Sequence, residues 1–117
     1  MRRLALIGLF AAGCASTYPT SAEPVDPEHR IDESEAELHR EEAQLKSSFA
    51  DARPVDCARA CALAGNICTL AERICTMTAR LPATPARAAR CANAHTSCQS
   101  ARSRVATACR CEQKPPP

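Results

Sequence analysis

Eight cysteines crowd the second half of this chain: Cys57, Cys61, Cys68, Cys75, Cys91, Cys98, Cys109 and Cys111. They occupy 8 of 55 residues, about 15% of that segment and well above the level that marks a cross-linked scaffold. Little else can hold such a chain together. There is no tryptophan, and Phe10, Tyr18 and Phe49 are the only aromatics. Small domains this poor in large apolar side chains need disulfides or a metal to offset the entropy of ordering.

The pattern around the cysteines is helical throughout, and it predicts an all-α fold. Asp26, Pro27 and Glu28 read as an N-cap, a proline at the first helical position and an acid in the first turn. From there a helix runs to about Ala50, ended by "ADARP". Ile31, Leu38, Leu45 and Phe49 share one face, which Glu35 and Glu42 interrupt, so the apolar stripe is thin. A second helix is expected from about Pro54 to Arg80. "LPATP" breaks it, and Thr84 with Pro85 starts a third that reaches about Ala108. So short a connection makes the second and third helices antiparallel neighbours.

The second helix carries two seams, roughly 120° apart at about 100° per residue. One holds Cys57, Cys61, Ala64, Cys68, Ala71 and Cys75; the other holds Leu63, Ile67, Leu70, Ile74, Met77 and Leu81. Two buried faces require two neighbours. The third helix offers a matching small-residue seam of Cys91, Ala94, Cys98, Ala101, Val105 and Ala108, which permits close approach. The Leu/Ile seam is then left for the first helix.

Opposed positions in an antiparallel hairpin have numbers with a constant sum. Cys75 with Cys91, Cys68 with Cys98 and Cys57 with Cys109 all mirror about position 83, inside "LPATP". In that register Cys61 faces Val105, and a Cys61–Cys111 bridge needs the chain to fold back past the helix end. Cys61–Cys109 with Cys57–Cys111 is the alternative for the outer pairs, and Cys61 is the first place to look for a free thiol. Each bridge contributes on the order of 2–4 kcal/mol, mainly by restricting the unfolded chain.

Two other uses of thiols compete with bridges. Cys57-x3-Cys61 resembles the ligand pairs of bacterial helical bundles that store Cu(I), and His95 could add a nitrogen. The remaining gaps, however, suit isolated rungs rather than repeated close pairs, and no C-x2-C is present for a zinc ribbon. His29, His39 and His95 have no ligand spacing among themselves and read as surface residues. Cys109-Arg110-Cys111 places a cation beside two thiols, but no thioredoxin-like pattern accompanies it. Structural disulfides are therefore expected, with no resident metal and no cofactor. Nor is catalysis expected: the chain has no H-E-x-x-H, no G-x-S-x-G and no phosphate loop.

Charge divides the chain. Residues 15–52 hold 10 acids and 3 bases, a net −7, whereas residues 53–117 hold 3 acids and 10 bases, a net +7. The acidic first helix is expected to lie on the basic hairpin, with Arg59, Arg73 and Arg80 near the Leu/Ile seam. Such pairs would fix register more than stability. A nucleic-acid partner is not expected, because no aromatics interleave with the basic residues.

The chain opens with "MRRLALIGLFAAGC": two arginines, an apolar run from Leu4 to Phe10, then small residues before Cys14. The run is too short to span a bilayer but suits a secretory signal. It resembles the signal of bacterial lipoproteins, with Ala11-Ala12-Gly13-Cys14 as the box; alanine at the first position is a minority choice there. The resemblance implies cleavage before Cys14 and lipidation of Cys14, with enough acyl chains for stable anchoring in the lipid bilayer. Ala15, in place of an aspartate, implies sorting to the outer membrane, facing the periplasm or the cell surface. The alternative is an ordinary signal peptide that removes Cys14 with it.

The expected organisation is a signal peptide over 1–13, a lipidated cysteine and tether over 14–25 and an acidic amphipathic helix over 26–52. A disulfide-stapled antiparallel hairpin then covers 53–111, and a polar, proline-rich tail covers 112–117. The tether would reach at most ~35–40 Å at about 3.3–3.6 Å per residue. The function expected of such a chain is structural or protein-binding within the cell envelope, with another envelope protein as partner. A Cu(I)- or zinc-binding envelope protein is the competing reading.

Overall fold

The computed structural model describes residue 13 and residues 23–50 and 53–112. All of the signal segment but its last residue, Cys14, most of the tether, residues 51–52 and the last residues of the tail lie outside that set. Three helices occupy the described chain: α1 (Pro27–Ala50), α2 (Cys57–Ala79) and α3 (Pro85–Ala106). There is no strand among the described residues, and none of these helices is long and apolar enough to cross a membrane.

Each helix starts where a side chain can take up a free backbone N–H. Asp26 Oδ1 accepts from the Glu28 amide at 3.1 Å, and Pro27 fills the position that needs no donor. Asp56 accepts from the Arg59 amide at 3.1 Å and starts α2 at Cys57, later than the expected Pro54. Pro54 and Val55 remain outside the helix because Asp56, in extended conformation, is the cap. Thr84 accepts from the Arg87 amide at 3.2 Å, with Pro85 next in line. At its far end α3 stops at Ala106, short of the expected Ala108, and residues 107–108 form a turn instead.

α2 is the centre of the bundle, with α3 against one flank and α1 against the other. Leu63, Ile67, Leu70 and Ile74 of α2 are buried together with Ile31, Leu38 and Leu45 of α1. Ile31, Ile67 and Ile74 have no exposed surface. Met77, Leu81 and Phe49 close the edges of this cluster, half-buried. On the other flank Ala64, Ala71, Ala94 and Ala101 are buried and Val105 is 1% exposed. Small side chains there let α2 and α3 approach closely.

α1 runs antiparallel to α2 and therefore in the same sense as α3. Its first turn meets the start of α3, where Arg87 binds Glu28. Its last turns lie over the start of α2, where Ser47 and Ser48 share a groove with Arg53 and Arg59. The α1 face is mixed. Ser34 is buried between Ile31 and Leu38, and one Glu41 carboxylate oxygen is buried with no hydrogen-bond partner among the described residues. Residues 31, 38 and 45 thus supply the apolar contacts, while 34 and 41, half a heptad away, supply polar ones.

Candidate functional site

The feature that sets this molecule apart is the ladder joining α2 to α3. Cys75 pairs with Cys91 nearest the Pro82–Pro85 turn, with Cα atoms 4.6 Å apart. Seven residues away on both helices, Cys68 pairs with Cys98, again at 4.6 Å. Seven residues are close to two helical turns, so each cysteine returns to the same face about 10 Å further along. Cys57 pairs with Cys109 at 5.4 Å and Cys61 with Cys111 at 5.5 Å.

The two outer bridges run the other way. From Cys57 to Cys61 the chain ascends α2, and their partners ascend as well, from Cys109 to Cys111. The segment after α3 has therefore reversed direction. The reversal begins at the turn where Ala108 and Cys109 both donate backbone hydrogen bonds to the Val105 carbonyl, at 3.1 and 2.8 Å. The tail then returns along the last turns of α3, and Cys111 and Glu112 line a shallow cleft with Ala64, Arg102 and Val105. Cys61 is bonded rather than free.

Accessibility varies along the ladder. Cys68 and Cys109 are buried, Cys111 is exposed, and the other five cysteines are half-buried. All eight are oxidised, so none of them offers a thiolate to a metal or to a substrate in this state. One imidazole lies against the ladder: His95, exposed and one turn beyond Cys91. The Sγ atoms of Cys75 and Cys91 and a ring nitrogen of His95 all lie within 4.8 Å of one another. His29 and His39 instead face carboxylates of their own helix, Glu33 at 3.2 Å and Glu42 at 3.0 Å.

The second constellation is a clamp between α1 and α3. Arg87 Nε and Nη2 donate to Glu28 Oε1 at 2.8 and 2.5 Å, and its Nη1 donates to the Pro82 carbonyl at 2.6 Å. Arg90 donates to Glu28 at 3.1 Å, to both oxygens of Glu35 at 2.8 Å, and to Asp32. The hydrogen bonds that Arg90 donates to Glu35, with those to Asp32 assisting, hold its guanidinium well above its ordinary pKa despite partial loss of water. Arginine is already cationic at any working pH, so the effect is to fix the charge in place.

This clamp corrects the expected pairing. Arg59, Arg73 and Arg80 are exposed and form no ion pair among the described residues. Instead α1 leans on the start of α3, which brings Arg87 and Arg90 to its carboxylates. The signal for this was present as spacing: arginines at 87 and 90, and acids at 28, 32 and 35, each set recurs within one helical face.

Between α1 and α3, two grooves run over the edge of the core, whose side chains stay buried at their floors. One is lined by Leu45, Lys46, Ile67, Ser97, Ala101 and Arg104. The other involves Leu38, His39, Ile74, Arg90, Asn93 and Ala94. A cleft of about 540 Å³ lies at the junction of α1 with the start of α2, lined by Gln44, Ser47, Ser48, Asp56 and Arg59. No protein-family model, no curated protein and no solved structure matches this chain.

Proposed function

We propose that this chain is a lipid-anchored protein of the bacterial cell envelope whose stapled helical domain serves a structural or protein-binding role, without catalysis. Cys14 carries the lipid, residues 15–25 form the tether, and the hairpin is the part displayed. The observation that carries this reading is the combination of "MRRLALIGLFAAGC" with a domain held by four disulfides. Disulfides form and persist in exported compartments, where a lipoprotein signal would deliver the chain. A second envelope protein fits as partner because the grooves beside α1 mix polar and charged side chains with apolar floors, as protein-contact surfaces do.

The test is metabolic labelling with a fatty acid in a bacterial host. The parent chain should take up label and sediment with membranes, whereas Cys14→Ser should do neither. Label retained by Cys14→Ser would remove the anchor from this account. Intact mass before and after reduction with alkylation separates the structural reading from a resident Cu(I) or zinc protein. Four bridges support the first, and eight free thiols with co-purifying metal support the second.

A further inference from the structure

We propose that opening the Cys75–Cys91 bridge converts the turn end of the ladder into a Zn(II) site, with both sulfurs and a ring nitrogen of His95 as ligands. The inference does not depend on the membrane address proposed above. It rests on one juxtaposition: among the described residues, Cys75, Cys91 and His95 are the one group of three side-chain donors drawn together closely enough to share an ion.

The three donors come from two rigid helices. Cys91 and His95 are four residues apart on α3, so their side chains lie on one face one turn apart. Cys75 comes from α2, directly opposite Cys91. In a tetrahedral site with Zn–S near 2.3 Å and Zn–N near 2.0–2.1 Å, the donors stand about 3.5–3.8 Å apart. The separations in the oxidised form are all within 4.8 Å. After reduction the two sulfurs must part from bonding distance while the imidazole closes in. Side-chain rotation can supply both movements. Cys75 and Cys91 are half-buried and His95 is exposed, so the fourth position faces solvent and can take water.

What makes the site more than three donors in proximity is that the frame survives its formation. The Cys75–Cys91 bridge closes the shortest loop of the four, 16 residues against 30, 50 and 52. Breaking it returns the least freedom to the unfolded chain. The Cys68–Cys98 bridge still holds both helices two turns away, and Arg87 still ties Glu28 to the Pro82 carbonyl at the turn. The helices are therefore held near their original spacing while the thiols are free.

A dithiol reductant transfers two electrons and two protons to the bridge, breaking the S–S bond and becoming a disulfide itself. Cys75 and Cys91 are left as thiols. On binding Zn(II) each loses its proton to solvent, and neutral His95 contributes a lone pair. Two thiolates neutralise the ion, and a cross-link of S–Zn–S replaces the S–S bond.

The test uses the full chain carrying Cys61→Ser and Cys111→Ser, which removes the bridge that includes the exposed Cys111. Limited reduction with a phosphine, which becomes its oxide and competes poorly for metal, should leave Cys75 and Cys91 open to alkylation. Cobalt(II) then serves as the spectroscopic stand-in for zinc. One equivalent should give the visible bands of tetrahedral cobalt with thiolate charge transfer, and zinc should abolish them. Zinc should also protect Cys75 and Cys91 from alkylation. In the same background His95→Ala should bind at least ~tenfold more weakly, since even outer-shell partners of metal ligands are worth that much. His95 is exposed, and unchanged helical circular dichroism would show that its removal spares the fold. Absence of the cobalt spectrum in protein with free Cys75 and Cys91 would overturn the proposal. So would parent-like binding by His95→Ala, the same spectrum from Cys75→Ser/Cys91→Ser, or a Cys75–Cys91 bridge that stays shut until the helices melt.

Discussion

α2 has two neighbours, and it is joined to them by opposite means. Toward α3 it presents alanines and cysteines, which bury little apolar area per residue but allow covalent rungs. Toward α1 it presents Leu63, Ile67, Leu70 and Ile74, which bury much more, with no covalent link at all. The first contact acts chiefly by restricting the unfolded chain, the second by removing hydrocarbon from water. Neither resembles the usual core of a helical bundle, where large side chains meet on every face. A domain with so few large side chains concentrates them at one interface and ties the other with sulfur.

The largest expected effect comes from breaking the ladder. Reduction of all four bridges removes on the order of 2–4 kcal/mol each, a total comparable to the whole stability of most small domains. Helical circular dichroism should collapse on full reduction and return on reoxidation. If the fully reduced chain kept its helices at 37 °C, the contrast between the two interfaces would be wrong. Next in size is the apolar contact. Leu38→Ala should cost about 2–4 kcal/mol by removing a buried side chain. The loss should be local: hydrogen exchange should quicken over residues 27–50 while residues 57–106 stay protected by their bridges. Equal loss over both segments would mean that α1 and the hairpin form one cooperative unit. The smallest effect is electrostatic. Arg90→Ala should destabilise α1 by about 1–2 kcal/mol, more than an isolated surface pair because one guanidinium serves three carboxylates. Added salt should narrow the difference between Arg90→Ala and the parent.

The same division separates what could be read in the sequence from what could not. The two seams of α2 are periodicities of one helix, and the mirror relation of three cysteine pairs about position 83 is a property of an antiparallel hairpin. Both are written along a single dimension, as are the caps at Asp26 and Thr84. The lateral placement of α1 is not. Nothing in the period of the acids says whether Glu28, Asp32 and Glu35 will meet arginines of α2 or of α3, because that depends on how far α1 tilts across the pair. The expectation placed Arg59, Arg73 and Arg80 there; the structure uses Arg87 and Arg90. The partner of Cys61 was open for a similar reason. It depends on a chain reversal after Ala106, and helical spacing says nothing about a segment that has left the helix. Ser34 and Glu41 also escaped notice, since each looks like an ordinary surface residue until α1 is laid on α2.

The outer bridges have a mechanical consequence. α1 begins beside the Pro82–Pro85 turn, whereas the chain leaves the bundle near the start of α2, so its two ends emerge at opposite poles. A pull applied between them passes along α1 to Cys57 and then crosses directly to Cys109 through sulfur. The intervening hairpin is short-circuited and carries almost none of the load. Only α1 can yield. Its 24 residues would lengthen from about 36 Å as a helix to roughly 80 Å when extended. Under tension the molecule would behave as a rigid block on a short extensible strap, with the stretch confined to α1.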